Sequence, residues 1–150
     1  MEPYEIVPAG RGDWPRLTTL LQESGLPLDG LEAHLEATIV ARDATTILGC
    51  AALEVYGTDA LLRSVAVAAE HRGKGLGEAL TAAAIARARQ RGVRAIYLLT
   101  ETAERFFPRF GFEETTRAAV PAAVQASVEF TTACPASATV MVLPLRSGVG

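Results

Sequence analysis

The chain has 150 residues, a net charge of -3, and 49% apolar against 21% charged residues. This reads as one globular domain over residues 1–150, able to bury roughly 70% of its unfolded surface. The balance excludes global disorder, and it excludes a nucleic-acid binder of the simple electrostatic kind, which needs a basic excess to neutralise phosphates.

Tyr4–Val7, closed by Pro8, predicts a first strand. Asp13 precedes Trp14 and Pro15, an N-cap with proline in the first turn. Leu17, Leu20 and Leu21 recur at helical spacing, and Gly25 ends that helix. A second, shorter helix is expected from Asp29, with Leu31 and Leu35 on one face. Thr38–Arg42 and Thr46–Tyr56 read as strands joined at Asp43-Ala44. A turn at Gly57-Thr58-Asp59 leads to the strand Ala60–Ala68, completing an antiparallel meander.

The pattern then changes. A polar, glycine-rich loop from Glu70 to Gly77 opens a long alanine-rich helix, about Glu78 to Arg91, capped by Gly92. Arg94–Thr100 is a further strand, followed by a short aromatic helix around Ala103–Arg109. Gly111-Phe112 opens another strand. A short helix after Pro121, a loop at Cys134-Pro135 and a last strand Thr139–Leu145 complete the chain. The expected class is α+β, a central mixed sheet of about six or seven strands between helical layers.

Cys50 and Cys134 form neither a disulfide framework nor a metal spacing, so no metal is expected. The acidic N-terminus is unlike a signal peptide, and no apolar run reaches the roughly 18–20 residues of a membrane span. A cytoplasmic location is therefore expected, with neither nucleic acid nor membrane as partner.

Gly73, Gly75 and Gly77 let backbone N–H groups converge on an anion at the start of a helix, where unpaired first-turn donors add to the site. Arg72 and Lys74, the single lysine among 14 basic residues, add positive charge. A phosphate or pyrophosphate is the expected ligand. The spacing is neither a Walker A loop nor the Rossmann GxGxxG.

Arg72-Gly73-Lys74-Gly75-Leu76-Gly77, five residues after Val67, resembles the Arg/Gln-x-x-Gly-x-Gly/Ala signature of the GNAT acyl-CoA N-acetyltransferase superfamily. Phe106 to Phe112 looks like that family's aromatic helix and Gly-Phe strand start. Leu62–Val67, Leu98–Ala103 and Cys134–Ser137 resemble the narrower group of arsenic-resistance and amino-acid N-acetyltransferases. The resemblance implies a GNAT fold and acetyl-CoA as co-substrate. It implies that Val65, Ala66 and Val67 pair with the pantetheine arm. Arg72, Gly73, Lys74, Gly75, Leu76, Gly77, Glu78 and Phe107 complete the implied donor site. The implied acceptor is the amine of a small molecule, an amino acid or analogue, including arsenic-containing ones.

Two departures matter. Many members place a Glu where Leu61 stands, and a Tyr where Phe107 stands, so the proton route needs other groups. A hairpin turn centred on Thr58-Asp59 would pair Tyr56 with Leu61 and Glu54 with Arg63. That register puts both charges on the face carrying Val65 and Val67. Glu54 is then a candidate base and Arg63 a bidentate grip for a substrate carboxylate; a plain cross-strand ion pair is the competing reading. Glu101 is a second catalytic candidate, and Tyr56, Thr100 and Ser137 are candidate substrate contacts. Cys134 reads as a small buried residue more than a nucleophile, and His34 and His71 as surface groups. Protein or peptide acetylation and a non-catalytic acyl-CoA-binding module remain alternatives. Should the chain form a homodimer, last-strand exchange or edge pairing is the expected route.

Overall fold

The computed structural model describes residues 3–127, 129–130 and 137–145. Seven strands, β1 (Glu5–Pro8), β2 (Thr38–Arg42), β3 (Ile47–Tyr56), β4 (Asp59–Val67), β5 (Ala95–Thr100), β6 (Glu113–Thr115) and β7 (Thr139–Pro144), form one sheet. Their spatial order is β1-β2-β3-β4-β5-β7-β6. Among the described residues, only β4 and β5 run parallel; every other pair is antiparallel. The long α2 (Leu76–Gln90) supplies the crossover that a parallel pair requires.

Alternation along β3 divides the core. Leu48, Ala51 and Leu53 face α2, where Leu76, Leu80, Ala84 and Ala88 are buried with them. Ile47, Cys50 and Ala52 face the opposite layer, against Leu17, Leu20 and Leu21 of α1 (Trp14–Glu23). The short α3 (Ala122–Gln125) brings Val124 onto Leu61 and Val140. Helices thus cover both faces of a mixed sheet, as expected. Alanine on the buried face of α2 lets its axis lie close. Gly49 is the strand side of that approach: a Cβ there would meet the Ala66 carbonyl at 2.7 Å and Leu80 at 2.8 Å.

Several local expectations are corrected. The Asp29 helix is a run of 3-10 turns, Leu31–Ala37, interrupted at His34. The aromatic helix is a single 3-10 turn, Phe107–Phe110, stopped by Gly111 at φ +100°. Asp13 does not cap α1; its carboxylate accepts from the Gly10 N–H and pairs with Arg42.

The β3–β4 register also differs. Tyr56 stands opposite Asp59, Glu54 opposite Leu61, and Arg63 opposite Ala52. Gly57, at φ +67°, opens a two-residue turn, one position earlier than expected. Ser64 then adopts φ +58°, and one extra residue of β4 is accommodated between the pairs Ala52–Arg63 and Cys50–Ala66. This bulge resets the alternation. Val65 and Val67 pack on the α2 side, whereas Ala66 joins Cys50 and Ala52 on the α1 side. The valines therefore do not share the face of Glu54 and Arg63.

Candidate active site

Parallel pairing of β4 with β5 covers only Asp59–Leu61 against Ala95–Tyr97. Beyond it the strands splay, and a cavity of about 840 Å³ opens between Leu62–Val67 on one wall and Leu98–Ala103 on the other. Ser24–Pro27, Glu129 and Ala138 line it too, as do Arg72, Gly77, Phe106 and Phe107. The ladder to β5 having stopped, this stretch of β4 is an edge inside the protein. An extended chain with amide groups can add to such an edge as a strand does.

The glycine-rich loop adjoins the cavity. Gly73 and Gly75 have φ near +80°, conformations costly to residues with a Cβ. They turn the chain sharply into α2, whose first intrahelical bond runs from the Ala79 N–H to the Gly75 carbonyl. The N–H groups of Leu76, Gly77 and Glu78 therefore lack intrahelical acceptors. A hollow of about 320 Å³ lies against Gly73, Gly75, Gly77, Arg72 and His71. Arg72 is anchored by its Nε, which donates to the Val67 carbonyl at 3.0 Å. Lys74 is exposed and not among the residues lining the hollow. Leu76 turns its side chain into the core, so only its backbone faces an anion. Glu78 pairs with Arg109 at 2.6 Å on the surface. A nest of amides with an adjacent apolar trough fits a ligand with a phosphate head and an extended amide tail.

Glu54, Tyr56 and Arg63 do come together, as a buried network. Glu54 is 1% exposed. Its Oε1 accepts from Ser127 at 2.6 Å and from the Tyr56 hydroxyl, while its Oε2 accepts from Arg63 Nη1 at 2.9 Å. Burial alone raises a carboxyl pKa; the hydrogen bonds from Ser127, Tyr56 and Arg63 outweigh it and hold Glu54 below the ordinary carboxylate range. The Tyr56 phenol is pushed up to about 12 by burial and by the hydrogen bond to the Glu54 carboxylate and its charge. His34 Nε2 lies 3.9 Å from Glu54 Oε1.

Arg63 is committed to its own chain. Nε donates to Ser64 Oγ at 3.1 Å, Nη1 to the Asp29 carbonyl as well as Glu54, and Nη2 to the Pro27 carbonyl at 3.0 Å. Nη2 also lies 3.7 Å from Glu129 Oε2. Arg63 is among the residues lining the cavity, but its side chain is fully buried and, where a grip on a substrate carboxylate was expected, its donors hold the Pro27–Asp29 loop. Glu54 and Tyr56 are not among the cavity-lining residues, and Glu54, already accepting on both oxygens, is a poor proton acceptor.

On the opposite wall, Thr100 and Glu101 are among the residues lining the cavity. Thr100 Oγ1 accepts from the Ala103 N–H at 2.9 Å, which turns the chain after β5. Phe107 is buried against Phe106 and Phe112 and forms apolar wall. Ser137 is exposed and is not a lining residue. Cys134, Pro135 and Ala136 lie outside the described residues. The sequence reading missed Ser127 and Glu129, which follow α3 more than 70 positions from Glu54; no local spacing links them to the hairpin. Among the described residues, no group of three or more His, Cys, Asp or Glu could hold a metal ion, and no helix is long and apolar enough to cross a membrane.

Known proteins resemble this arrangement. A family model described as an acetyltransferase (GNAT) domain matches residues 34–114, more than half of the chain. An amino-acid acetyltransferase of Aeromonas salmonicida is 32% identical over 100 residues, 62% of this chain and 22% of that protein. An uncharacterised N-acetyltransferase of Chlorobaculum tepidum is 32% identical over 95 residues, 63% of this chain and 61% of that one. The chain thus spans less than two thirds of the length of these curated relatives. In structure, N-acetylglutamate synthase of Neisseria gonorrhoeae, solved with coenzyme A and N-acetyl-glutamate, superposes with a TM-score of 0.83 at 23% identity, over 98% of this chain and 36% of that one. Rv2747 of Mycobacterium tuberculosis, solved with CoA and NLQ, has a TM-score of 0.80 at 23% identity, over 95% and 99%.

Proposed function

Because the chain belongs to the GNAT acetyltransferase family, we propose that it is an N-acetyltransferase moving the acetyl group of acetyl-CoA directly to the amine of a small molecule. The acceptor class is an amino acid or amino-acid analogue, arsenic-containing analogues included. The observation that carries this reading is the cavity between β4 and β5, which shares Val67, Arg72, Gly77 and Phe106 with the hollow at the glycine-rich nest and has polar residues on its far walls. Bound acetyl-CoA supplies an activated thioester carbonyl. The amides from Gly73 to Gly77 hold the pyrophosphate, and the Val65–Val67 edge aligns the pantetheine arm. Glu101 and Thr100 face the acceptor from the β5 side. Holding two reactants in line is worth about 7–11 kcal/mol, more than the 10²–10⁴-fold typical of one acid or base. A site with Leu61 and Phe107 at the usual acid–base positions therefore retains most of its power. The relatives named as amino-acid acetyltransferase and N-acetylglutamate synthase support an amino-acid-like acceptor. A cytoplasmic location goes with this reading; the free thiol of Cys50 is ordinary in a reducing compartment.

The test is thiol release from acetyl-CoA with amino acids, polyamines, peptides and arsenical amino acids as acceptors. Steady, acceptor-dependent CoA formation is expected. Apolar side chains at Leu61 and Phe107 favour one competing reading, a non-catalytic acyl-CoA-binding module. That reading predicts tight acetyl-CoA binding without turnover on any amine.

A further inference from the structure

We propose that Arg63 is a positioning residue for the amine acceptor: its guanidinium, without reaching the acceptor, fixes the Ser24–Pro27 segment in the cavity wall and so sets acceptor affinity. This rests on the acetyltransferase reading and gives Arg63 a part in it other than a grip on substrate.

Ser24, Gly25, Leu26 and Pro27 line the cavity between β4 and β5, whereas the hollow at the glycine-rich nest is lined by other residues. A displacement of this segment should therefore be felt by the acceptor before the donor. The end of α1 ties the start of the segment. The Gly25 N–H donates to the Gln22 carbonyl at 3.1 Å, and the Leu26 N–H to the Leu21 carbonyl at 2.9 Å. Gly25, at φ +70°, makes that reversal. Farther on, the Leu31 N–H donates to the Leu28 carbonyl at 3.1 Å, leading into the 3-10 run Leu31–Ala37.

Between these ties, Arg63 joins the segment to β4. Its Nη2 donates to the Pro27 carbonyl at 3.0 Å and its Nη1 to the Asp29 carbonyl at 2.5 Å. The guanidinium is itself fixed by Glu54 Oε2, 2.9 Å from Nη1, and by Ser64 Oγ, 3.1 Å from Nε. Its side chain is 0% exposed, so it acts through the segment and not on a ligand. One rigid plane bonded to four acceptors sets the distance from β4 to the Pro27 and Asp29 carbonyls. A lysine ammonium on its flexible stem would keep the charge but not the fork. Leu26 and Leu28 pack against the α1 layer of the core. Loss of the fork should thus let the segment shift while it stays on the body of the protein.

The experiment follows CoA release on the full chain, with the best acceptor from a panel of amino acids, polyamines, peptides and arsenical amino acids. R63K should raise the acceptor KM about tenfold, a difference of about 1.4 kcal/mol, while the acetyl-CoA KM stays within about twofold of wild type. An unchanged acceptor KM in R63K overturns the proposal, because charge alone would then suffice. A parallel rise of both KM values also overturns it, because a general loosening of the fold would produce that. Hydrogen exchange on the wild-type protein decides even if R63K fails to fold. CoA together with the N-acetylated form of the same acceptor should slow exchange at the Leu26, Leu28 and Asp29 amides several-fold relative to CoA alone. Equal exchange there in the two states overturns the proposal. Acetyl-CoA binding without CoA release on any acceptor of the panel overturns the transferase reading itself, and is told apart by that binding.

Discussion

Ser127 Oγ donates a 2.6 Å hydrogen bond to Glu54 Oε1, joining the segment after α3 to the centre of the β3–β4 hairpin. Through Arg63 the same carboxylate reaches the carbonyls of Pro27 and Asp29. Two segments distant in sequence are thus tied to one buried charge beside the cavity. S127A removes a hydrogen bond to a charged group and should cost about 1.5–3 kcal/mol. Because Ser127 helps to depress the Glu54 pKa, that contribution is present above about pH 4.5 and is lost as pH falls through the depressed native value. Denaturant unfolding of S127A and wild type should therefore differ at neutral pH and converge in acid.

Removing one partner of the Glu54–Arg63 pair leaves the other charge buried. E54A should destabilise by about 3–5 kcal/mol, whereas E54L/R63M, which removes both charges, should cost less than E54A alone. Chemical denaturation of the three proteins at pH 7 measures this. A double variant worse than E54A would mean that the carbonyl contacts of Arg63 dominate.

The Tyr56 phenol is raised by its burial and by the Glu54 carboxylate, so the neutral form is favoured in the folded protein. The sign is opposite to that of Glu54: this stability is complete below about pH 10 and is lost as pH rises through about 12. Y56F should flatten the alkaline limb of a plot of Tm against pH. Part of the slope will persist from Cys50, whose thiol burial raises to about 12 from 9.0.

G49A should be destabilising by about 1–3 kcal/mol, since its Cβ meets backbone at Ala66 as well as the Leu80 side chain. Ala66 belongs to the splayed edge of β4, so a displaced ladder should also raise the acetyl-CoA KM. Thermal melts and donor titrations of the same preparation test both.

Lys74 is exposed at the start of α2, beside the amide nest. K74A should raise the acetyl-CoA KM a few-fold at low salt and less at high salt, the signature of a screened contact. G75A, at φ +82°, should raise it regardless of salt by straining the nest itself. An acetyl-CoA KM unchanged in K74A at low salt would return Lys74 to ordinary surface.

The strands, the α2 start and the anion-binding turn were legible because each rests on near neighbours. Alternation along β3, glycines at Gly73 and Gly75, and alanines through α2 act within a few residues. The seven-strand mixed sheet followed from the same local order. The pairing of β3 with β4 did not. A bulge at Ser64 costs one residue of register, and a one-residue change moves side chains to the other face. No local pattern announces a non-glycine residue at positive φ; it is held there because Arg63 bonds the Ser64 hydroxyl and Cys50 the Ser64 carbonyl.

What local chemistry settled was the glycine-rich turn, contiguous backbone whose positive φ at Gly73 and Gly75 favours glycine. The buried network beside the cavity is assembled from Pro27, Asp29, Glu54, Arg63, Ser127 and Glu129, segments that meet only after the sheet has formed. Whether an arginine there faces a substrate or its own carbonyls depends on which groups would otherwise be buried without partners. That balance is struck across about a hundred positions of chain, and it turned Arg63 from a receptor into a support.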